Sequence, residues 1–172
     1  MKTLIVVDMQ NDFIDGALGT REARGIVEKV RSKIEAYRES GDRVLFTRDT
    51  HGENYLDTPE GKKLPVKHCV RGTQGWQISS ALNTEGSLII DKPTFGWTHW
   101  AEETLGDIEL VGRCTDICVV SNALILKATF PEAKITVDAS CCAGVTPATH
   151  AAALTTMEMC QIDVIGKENE HV

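Results

Sequence analysis

The sequence predicts an α/β fold, a three-layer α/β/α sandwich built on a six-stranded parallel sheet. Three observations favour it: six short apolar runs typical of strands, helical patterns between them, and strands that are apolar almost throughout. Strands of this kind are buried on both faces, as in parallel sheets covered by helices on both sides. A chain of 172 residues suffices for one domain with a sizeable core, and we expect residues 1–172 to form it.

The strand-like runs recur along the whole chain. Each is short and rich in Val, Ile or Leu, and helical patterns separate them, which favours parallel pairing through crossover connections. They cover residues 3–8, 43–48, 87–91, 108–112, 134–138 and 162–165.

Three segments between these runs have helical periodicity. Residues 20–39 place apolar side chains on one face and stop before Gly41. Residues 116–129 have a similar apolar pattern. Residues 147–160 follow Thr146, a typical capping residue, and open with a proline, which suits the first turn of a helix.

Composition and charge restrict the partners and the compartment. The net charge of −7 disfavours nucleic acid as a partner. No apolar run approaches the ~20 residues of a membrane helix and no signal-peptide pattern opens the sequence, so we expect a cytoplasmic protein without a membrane partner. Six cysteines without a secretory signal favour free thiols, metal ligation or catalysis over disulfides. We expect Cys69, Cys141, Cys142 and Cys160 to be small buried hydrophobic residues.

Three reactive side chains follow or end strand-like runs: Asp8, Lys92 and Cys118. Ligands bind at the carboxyl ends of parallel strands, so a base, a cation and a thiol nucleophile are expected to meet at one edge of the sheet. The start of a helix is expected to lower the pKa of the Cys118 thiol, with Thr115 capping that helix. The residues alone leave open that Asp8 is a turn residue, Lys92 a solvated charge and Cys118 a buried helical cysteine.

Two loops depart from the alternation of strands and helices. Residues 49–76 form a long, polar, turn-rich stretch whose histidines and carboxylates favour a functional role. Residues 92–100 are rich in aromatic side chains, which favours a pocket wall, with a packed flap or a subunit interface as alternatives. His171 is expected to be disordered.

Several short motifs, taken in order along nearly the whole chain, resemble the isochorismatase-like cysteine hydrolases and, within them, the nicotinamidases. Each motif alone is weak, but their order and spacing together are specific. The motifs are Asp8-x-Gln10-Asn11-Asp12-Phe13, Lys92 after the third strand, Gly112-x-x-Thr115-Asp116-x-Cys118-Val119, Asp138-Ala139-Ser140, and Gly144-Val145-Thr146-Pro147-x-x-His150.

The resemblance implies a Rossmann-like fold and a catalytic triad of Asp8, Lys92 and Cys118. It also implies a cis peptide bond between Arg113 and Cys114. In this family the backbone N–H groups of the residues matching Cys114 and Cys118 hold the oxyanion of the reaction intermediate. Arg113 is bulkier than the small apolar residue expected at that position.

The resemblance further implies a divalent metal, with zinc favoured and iron, manganese or cobalt as alternatives. In nicotinamidases such a metal holds the pyridine nitrogen of the substrate. This chain has Thr50-His51-Gly52 where the common pattern is Trp-His-Pro, so the lost aromatic wall is expected to be supplied from elsewhere. The matching ligands are Asp49, His51, Glu60 and His68, and the substitute wall residues are Phe13, Phe95 and Trp97.

The expected activity is therefore hydrolysis of a small carboxamide through a thioester on Cys118, with nicotinamide as the first candidate and a role in NAD metabolism. One alternative is a metal-independent hydrolase of ureido or carbamoyl amides from the same family, whose members lack the two histidines. An alternative of another class is a non-catalytic metal-binding or thiol redox protein, although the chain has no Cys-x-x-Cys motif. The family often self-associates, so a homo-oligomer is expected.

Overall fold

The computed structural model describes residues 1–168. Six strands form one sheet in the order β3-β2-β1-β4-β5-β6, and every neighbouring pair is parallel. This confirms the predicted fold class. The expectation for His171 lies outside the described residues. The strands are β1 (Lys2–Val7), β2 (Arg43–Asp49), β3 (Ile89–Lys92), β4 (Asp107–Arg113), β5 (Ile135–Ala143) and β6 (Asp163–Ile165).

The predicted helices are present, and two of them begin at capping threonines. The hydroxyl group of Thr20 accepts the backbone N–H of Ala23, and Thr146 forms a reciprocal capping box with Thr149. A π-helical turn, Thr115–Val119, precedes the fourth helix. The helices are α1 (Asn11–Ile14), α2 (Arg21–Glu39), α3 (Pro59–Lys63), α4 (Val120–Thr129) and α5 (Pro147–Met159).

The core has two layers because side chains alternate across each strand. In β1, Ile5 and Val7 pack towards α4 and α5, whereas Leu4 and Val6 pack towards α2. All four side chains have no exposed surface. This burial on both faces explains why the central strands are apolar without alternation.

Two details differ from the sequence-based expectations. Strand β5 continues to Ala143, beyond the predicted end at residue 138, because after an irregularity in register Cys142 pairs with Gly112 of β4. Residues 139–143 contain none of the β-branched and aromatic residues that are enriched in strands, so no pattern marked this extension. The expectation that Cys160 is buried is wrong: it follows the last turn of α5 and is exposed.

None of the helices within residues 1–168 has both the length and the apolar character needed to cross a membrane.

Candidate active site and metal centre

The carboxyl ends of β1, β3 and β4 bring the three predicted reactive residues to one edge of the sheet. Lys92 Nζ donates a hydrogen bond to Asp8 Oδ2 at 2.6 Å, and neither residue has any exposed surface. Cys118 is 4% exposed and lies close enough for both charges to act on its thiol. Lys92 is therefore a buried partner of a carboxylate rather than a solvated charge.

Asp8 occupies an unusual position at the end of β1. Its backbone has a φ of 48°, in the left-handed region, where non-glycine residues are uncommon. Its second carboxylate oxygen, Oδ1, accepts a hydrogen bond from Thr47 Oγ1 at 2.6 Å. Lys92 and Thr47 therefore hold one oxygen each and fix the orientation of the carboxylate.

The ionisation of the three groups follows from burial. Burial raises the pKa of Asp8, and the opposing charge of Lys92 offsets only part of this effect. Burial acts to lower the pKa of Lys92, but interactions with Asp8 and Cys118 raise it, and the net shift is upward. The group thus combines a charged lysine with a carboxylate that is more basic than usual.

The expectation that the helix start lowers the pKa of the Cys118 thiol is wrong. Burial and the charge of Asp8 raise this pKa well above its ordinary value, and Lys92 counteracts them only in part. The resting thiol is therefore protonated, and formation of a thiolate requires transfer of its proton to a base.

The turn that carries Cys118 is held by its backbone and by the loop before α5. The peptide bond between Arg113 and Cys114 is cis, as expected. Thr115 does not cap the helix: Cys114 occupies the cap position of the turn, and Thr115 Oγ1 instead lies 2.7 Å from His150 Nδ1. Asp116 follows Thr115, and its carboxylate accepts a hydrogen bond from the backbone N–H of Val145 at 3.1 Å.

The four predicted metal ligands come together beside these residues. Asp49 ends β2, and its Oδ2 lies 2.9 Å from His51 Nε2 and 3.6 Å from His68 Nε2. Glu60 Oε1 lies 3.7 Å from His51 Nε2. One ligand atom from each residue lies within 4.8 Å of the other three.

The chemistry of this cluster fits a divalent metal. The buried Asp49 Oδ1 has no hydrogen-bond partner among the described residues, which leaves a lone-pair donor free. His68 Nδ1 lies 2.7 Å from the carbonyl oxygen of Val66, an arrangement that places the proton on Nδ1 and leaves Nε2 available. Two imidazole nitrogens with two carboxylates suit zinc and other first-row divalent ions.

Tyr55 is a residue of this centre that no sequence pattern singled out. Its fully buried ring lies 4.7 Å from the ring of His51 and 4.9 Å from that of His68, measured between centroids. Its hydroxyl group donates to the carbonyl oxygen of Leu64 at 2.9 Å. The tyrosine therefore restricts both imidazole rings, and a lone aromatic residue in a polar loop gave no hint of that role.

Two side chains of the motif that begins at Asp8 hold the segments that carry the predicted metal ligands. The buried side-chain amide of Gln10 accepts the backbone N–H of Asp49 at 2.7 Å and donates to the carbonyl oxygen of the same residue at 2.8 Å. Asp12 Oδ2 accepts the N–H of Cys69 at 2.8 Å, beside His68. These two side chains thus attach two ligand-bearing segments to the end of β1.

The three predicted pocket residues lie in different surroundings. Phe13 is buried, and its ring centroid lies 5.5 Å from that of His68. Phe95 is 42% exposed, and Trp97 is half-buried against the core layer of α4. Asn122 fixes the backbone of their loop, through the carbonyl oxygen of Phe95 and the N–H of Trp97. The role of Phe13, Phe95 and Trp97 as a substrate wall stays a prediction.

Comparison with known proteins places the chain in a family. Residues 2–169 match the model of the isochorismatase domain. The chain is 27% identical to the nicotinamidase/pyrazinamidase of Mycobacterium tuberculosis, over 96% of this chain and 98% of that protein. The chain belongs to the isochorismatase family.

Solved structures give the same result. The crystal structure of the pyrazinamidase of Pyrococcus horikoshii in complex with zinc superimposes with a TM-score of 0.83 at 26% identity, covering 96% of this chain and 99% of that chain. The N-carbamoylsarcosine amidase of Thermoplasma acidophilum gives a TM-score of 0.78 at 25% identity, with 99% of each chain covered. Both neighbours therefore share the fold over almost their full length.

Proposed function

We propose that this protein is a metal-assisted cysteine amidohydrolase that converts nicotinamide to nicotinate and ammonia. The observation that carries the proposal is the placement of the buried Asp8–Lys92 pair and the Cys118 thiol beside a two-histidine, two-carboxylate cluster. The two sets are neighbours, since Asp49 lies directly opposite Lys92 where β2 pairs with β3. Similarity to a nicotinamidase/pyrazinamidase over nearly the whole chain supports the choice of substrate.

The first half of the reaction uses Asp8 as a base. Asp8 accepts the proton of Cys118, and the thiolate sulfur attacks the carboxamide carbon. The backbone N–H groups of Cys114 and Cys118 hold the oxyanion of the tetrahedral intermediate. Asp8 then returns the proton to the leaving nitrogen, the C–N bond breaks, and ammonia departs from a thioester.

The second half of the reaction regenerates the enzyme. Water attacks the thioester carbon while Asp8 accepts one of its protons, and the same N–H groups hold the new oxyanion. The C–S bond breaks, the acid product leaves, and Cys118 recovers its proton from Asp8. Lys92 stabilises the anionic form of Asp8 and the thiolate through its charge.

The metal centre serves the binding of the substrate. A divalent ion bound by the cluster would supply a Lewis acid for the ring nitrogen of the amide substrate. Tyr55 and Phe13 orient the histidine ligands and exclude water around them. Zinc is the proposed ion, supported by the zinc-bound pyrazinamidase neighbour, and iron, manganese and cobalt suit the same donors. The proposed ligands are Asp49, His51, Glu60 and His68.

The alternative of a metal-independent carbamoyl amide hydrolase has support from the N-carbamoylsarcosine amidase neighbour. The assembled metal-type cluster argues against it, since such enzymes need no second group of histidines and carboxylates. A thiol redox protein is disfavoured by the buried lysine–carboxylate pair beside the thiol, which suits proton transfer better than disulfide exchange.

The proposed function is tested by measuring ammonia release from nicotinamide by the purified protein, before and after removal of metal by a chelator. Release that falls on removal and returns with zinc, manganese or iron supports the proposal. N-carbamoylsarcosine is assayed in parallel. Hydrolysis of that compound alone, unaffected by the chelator, supports the alternative and contradicts the proposed substrate.

A further inference from the structure

We infer that Thr47 is a positioning residue of the proton-transfer step, which holds the Asp8 carboxylate in its ionised form and in one orientation for transfer from the Cys118 thiol. The inference rests on the proposed function only for the overall reaction. The proton transfer from Cys118 to Asp8 does not depend on that proposal. Thr47 lies on β2 directly opposite Val7, the last residue of β1, which precedes Asp8 in the sequence.

Thr47 makes three contacts with Asp8. Its hydroxyl oxygen lies 2.6 Å from Asp8 Oδ1 and 3.3 Å from the backbone nitrogen of Asp8. Its carbonyl oxygen lies 3.2 Å from the same nitrogen. One residue thus holds both the side chain and the left-handed backbone of Asp8.

These contacts fix the direction of the hydroxyl proton. The backbone N–H of Asp8 is shared between the carbonyl oxygen and Oγ1 of Thr47 and can only donate, so Oγ1 acts as an acceptor on that side. The hydroxyl proton is then directed at Asp8 Oδ1, where the short distance is typical of an O–H donor and a charged acceptor. Thr47 is completely buried, so water cannot take its place without a rearrangement.

The consequence concerns the carboxylate as a base. In the transfer the S–H bond of Cys118 breaks and an O–H bond forms on Asp8, which leaves a thiolate and a neutral acid. A hydroxyl donor on Oδ1 favours the ionised carboxylate, as Lys92 does on Oδ2, so that Asp8 is free to accept this proton. Lys92 provides charge, whereas Thr47 provides a directional bond that prevents rotation of the carboxylate plane.

Other groups around Asp8 also influence this balance. They come from the strands and turns packed against it, and among the described residues they are Lys92 on β3, Asp49 on β2, Cys69 beside the cluster, and Cys114 and Cys118 on the turn after β4. Substitution of Thr47 leaves all of them in place, so the effect of its hydroxyl group can be isolated.

The test compares Thr47→Val, which keeps the branched shape and loses the hydroxyl group, with Thr47→Ser, which keeps that group. Thr3→Val is the matched control, because Thr3 is equally buried in the sheet and its hydroxyl group donates to the carbonyl oxygen of Leu105, away from the site. The metal-loaded proteins are compared by the pH dependence of kcat/KM for nicotinamide. Thr47→Ala replaces Thr47→Val if the latter does not fold.

A second readout needs no amide substrate. The rate at which iodoacetamide alkylates Cys118 is followed against pH by peptide mass spectrometry, which distinguishes this thiol from the other five. We expect the acid limb of both profiles to move up by about one pH unit in Thr47→Val, with about a tenfold loss of rate on that limb. Thr47→Ser and Thr3→Val are expected to keep the wild-type profile.

Two results would overturn the inference. Wild-type profiles in Thr47→Val overturn it, and so does an equal shift in Thr3→Val, which would indicate a general effect of a lost buried hydroxyl group. If the wild-type protein releases no ammonia from any amide, the proposed function fails, while the alkylation profile still confirms or overturns the role of Thr47.

Discussion

The side-chain amide of Asn122 donates a hydrogen bond to the backbone carbonyl oxygen of Cys118 at 2.8 Å. The same amide donates to the carbonyl oxygen of Phe95 and accepts from the N–H of Trp97 and the indole Nε1–H of Trp100. All four hydrogen-bonding positions of this buried amide are thus used. They join the helix after the proposed nucleophile to the loop that follows Lys92.

Asn122→Ala is expected to lower the free energy of unfolding by roughly 1–3 kcal/mol, because it leaves buried N–H and carbonyl groups without partners. We also expect a higher KM, since the loop carrying Phe95 and Trp97 loses its attachment. Urea unfolding and steady-state kinetics measure the two effects. Ser121→Ala, at the preceding and partly exposed position, is the control. Equal stability of the two variants would contradict this role.

Lys92→Met is expected to abolish turnover and to lower stability at neutral pH by about 3–5 kcal/mol, because it leaves the buried Asp8 charge uncompensated. The loss of stability should shrink as the pH falls and Asp8 becomes neutral. The double variant Asp8→Asn, Lys92→Met should recover most of the stability and none of the activity.

Thermal unfolding across pH measures these differences. Lys33→Met is the control, since Lys33 forms a partly exposed network with Glu109 and Asp138 on the opposite core layer. A double variant no more stable than Lys92→Met would contradict the charge argument.

The pH dependence of kcat/KM is expected to show an acid limb above the ordinary aspartate range of about 4. The reason is that burial raises the pKa of Asp8, so its capacity to accept a proton is lost as the pH falls through that raised value. Bound metal is measured at each pH, so that its release is separated from protonation of Asp8. Constant kcat/KM down to pH ~4 with metal retained would argue against Asp8 as the base.

His51→Ala is expected to reduce bound zinc to a small fraction of the wild-type content while the fold persists, because one of the two imidazole donors is lost. Elemental analysis after dialysis measures the metal, and circular dichroism monitors the fold. Glu53→Gln is the control, an acidic residue of the same loop whose side chain is 81% exposed. Undiminished zinc in His51→Ala would remove this cluster as the metal site.

Much of the fold was predictable because it depends on local patterns. Continuous apolar strands, the stop at Gly41 and the capping threonine Thr146 indicated the order of the elements. The gathering of Asp8, Lys92 and Cys118 followed from one topological rule about strand ends. The metal ligands were predictable only through resemblance to a family, since two histidines in a loop have many other uses.

What the sequence did not predict depends on three-dimensional burial. The pKa of Cys118 was expected to fall at a helix start, but desolvation and Asp8 outweigh that local effect. Thr47, Tyr55 and Asn122 contact the site from elements distant in sequence, and no spacing rule connects them to it. Self-association, a cytoplasmic location and a single domain over residues 1–172 stay predictions.

The most direct test of the central claim is ammonia release from nicotinamide by the wild-type protein and Cys118→Ala, compared at equal zinc content. The substitution removes only the sulfur, and the buried site and the metal cluster are expected to persist. We expect turnover by the wild-type protein and none by the variant, because the variant lacks the thiol that forms the thioester. Measurable turnover by folded, zinc-loaded Cys118→Ala would contradict the thioester mechanism.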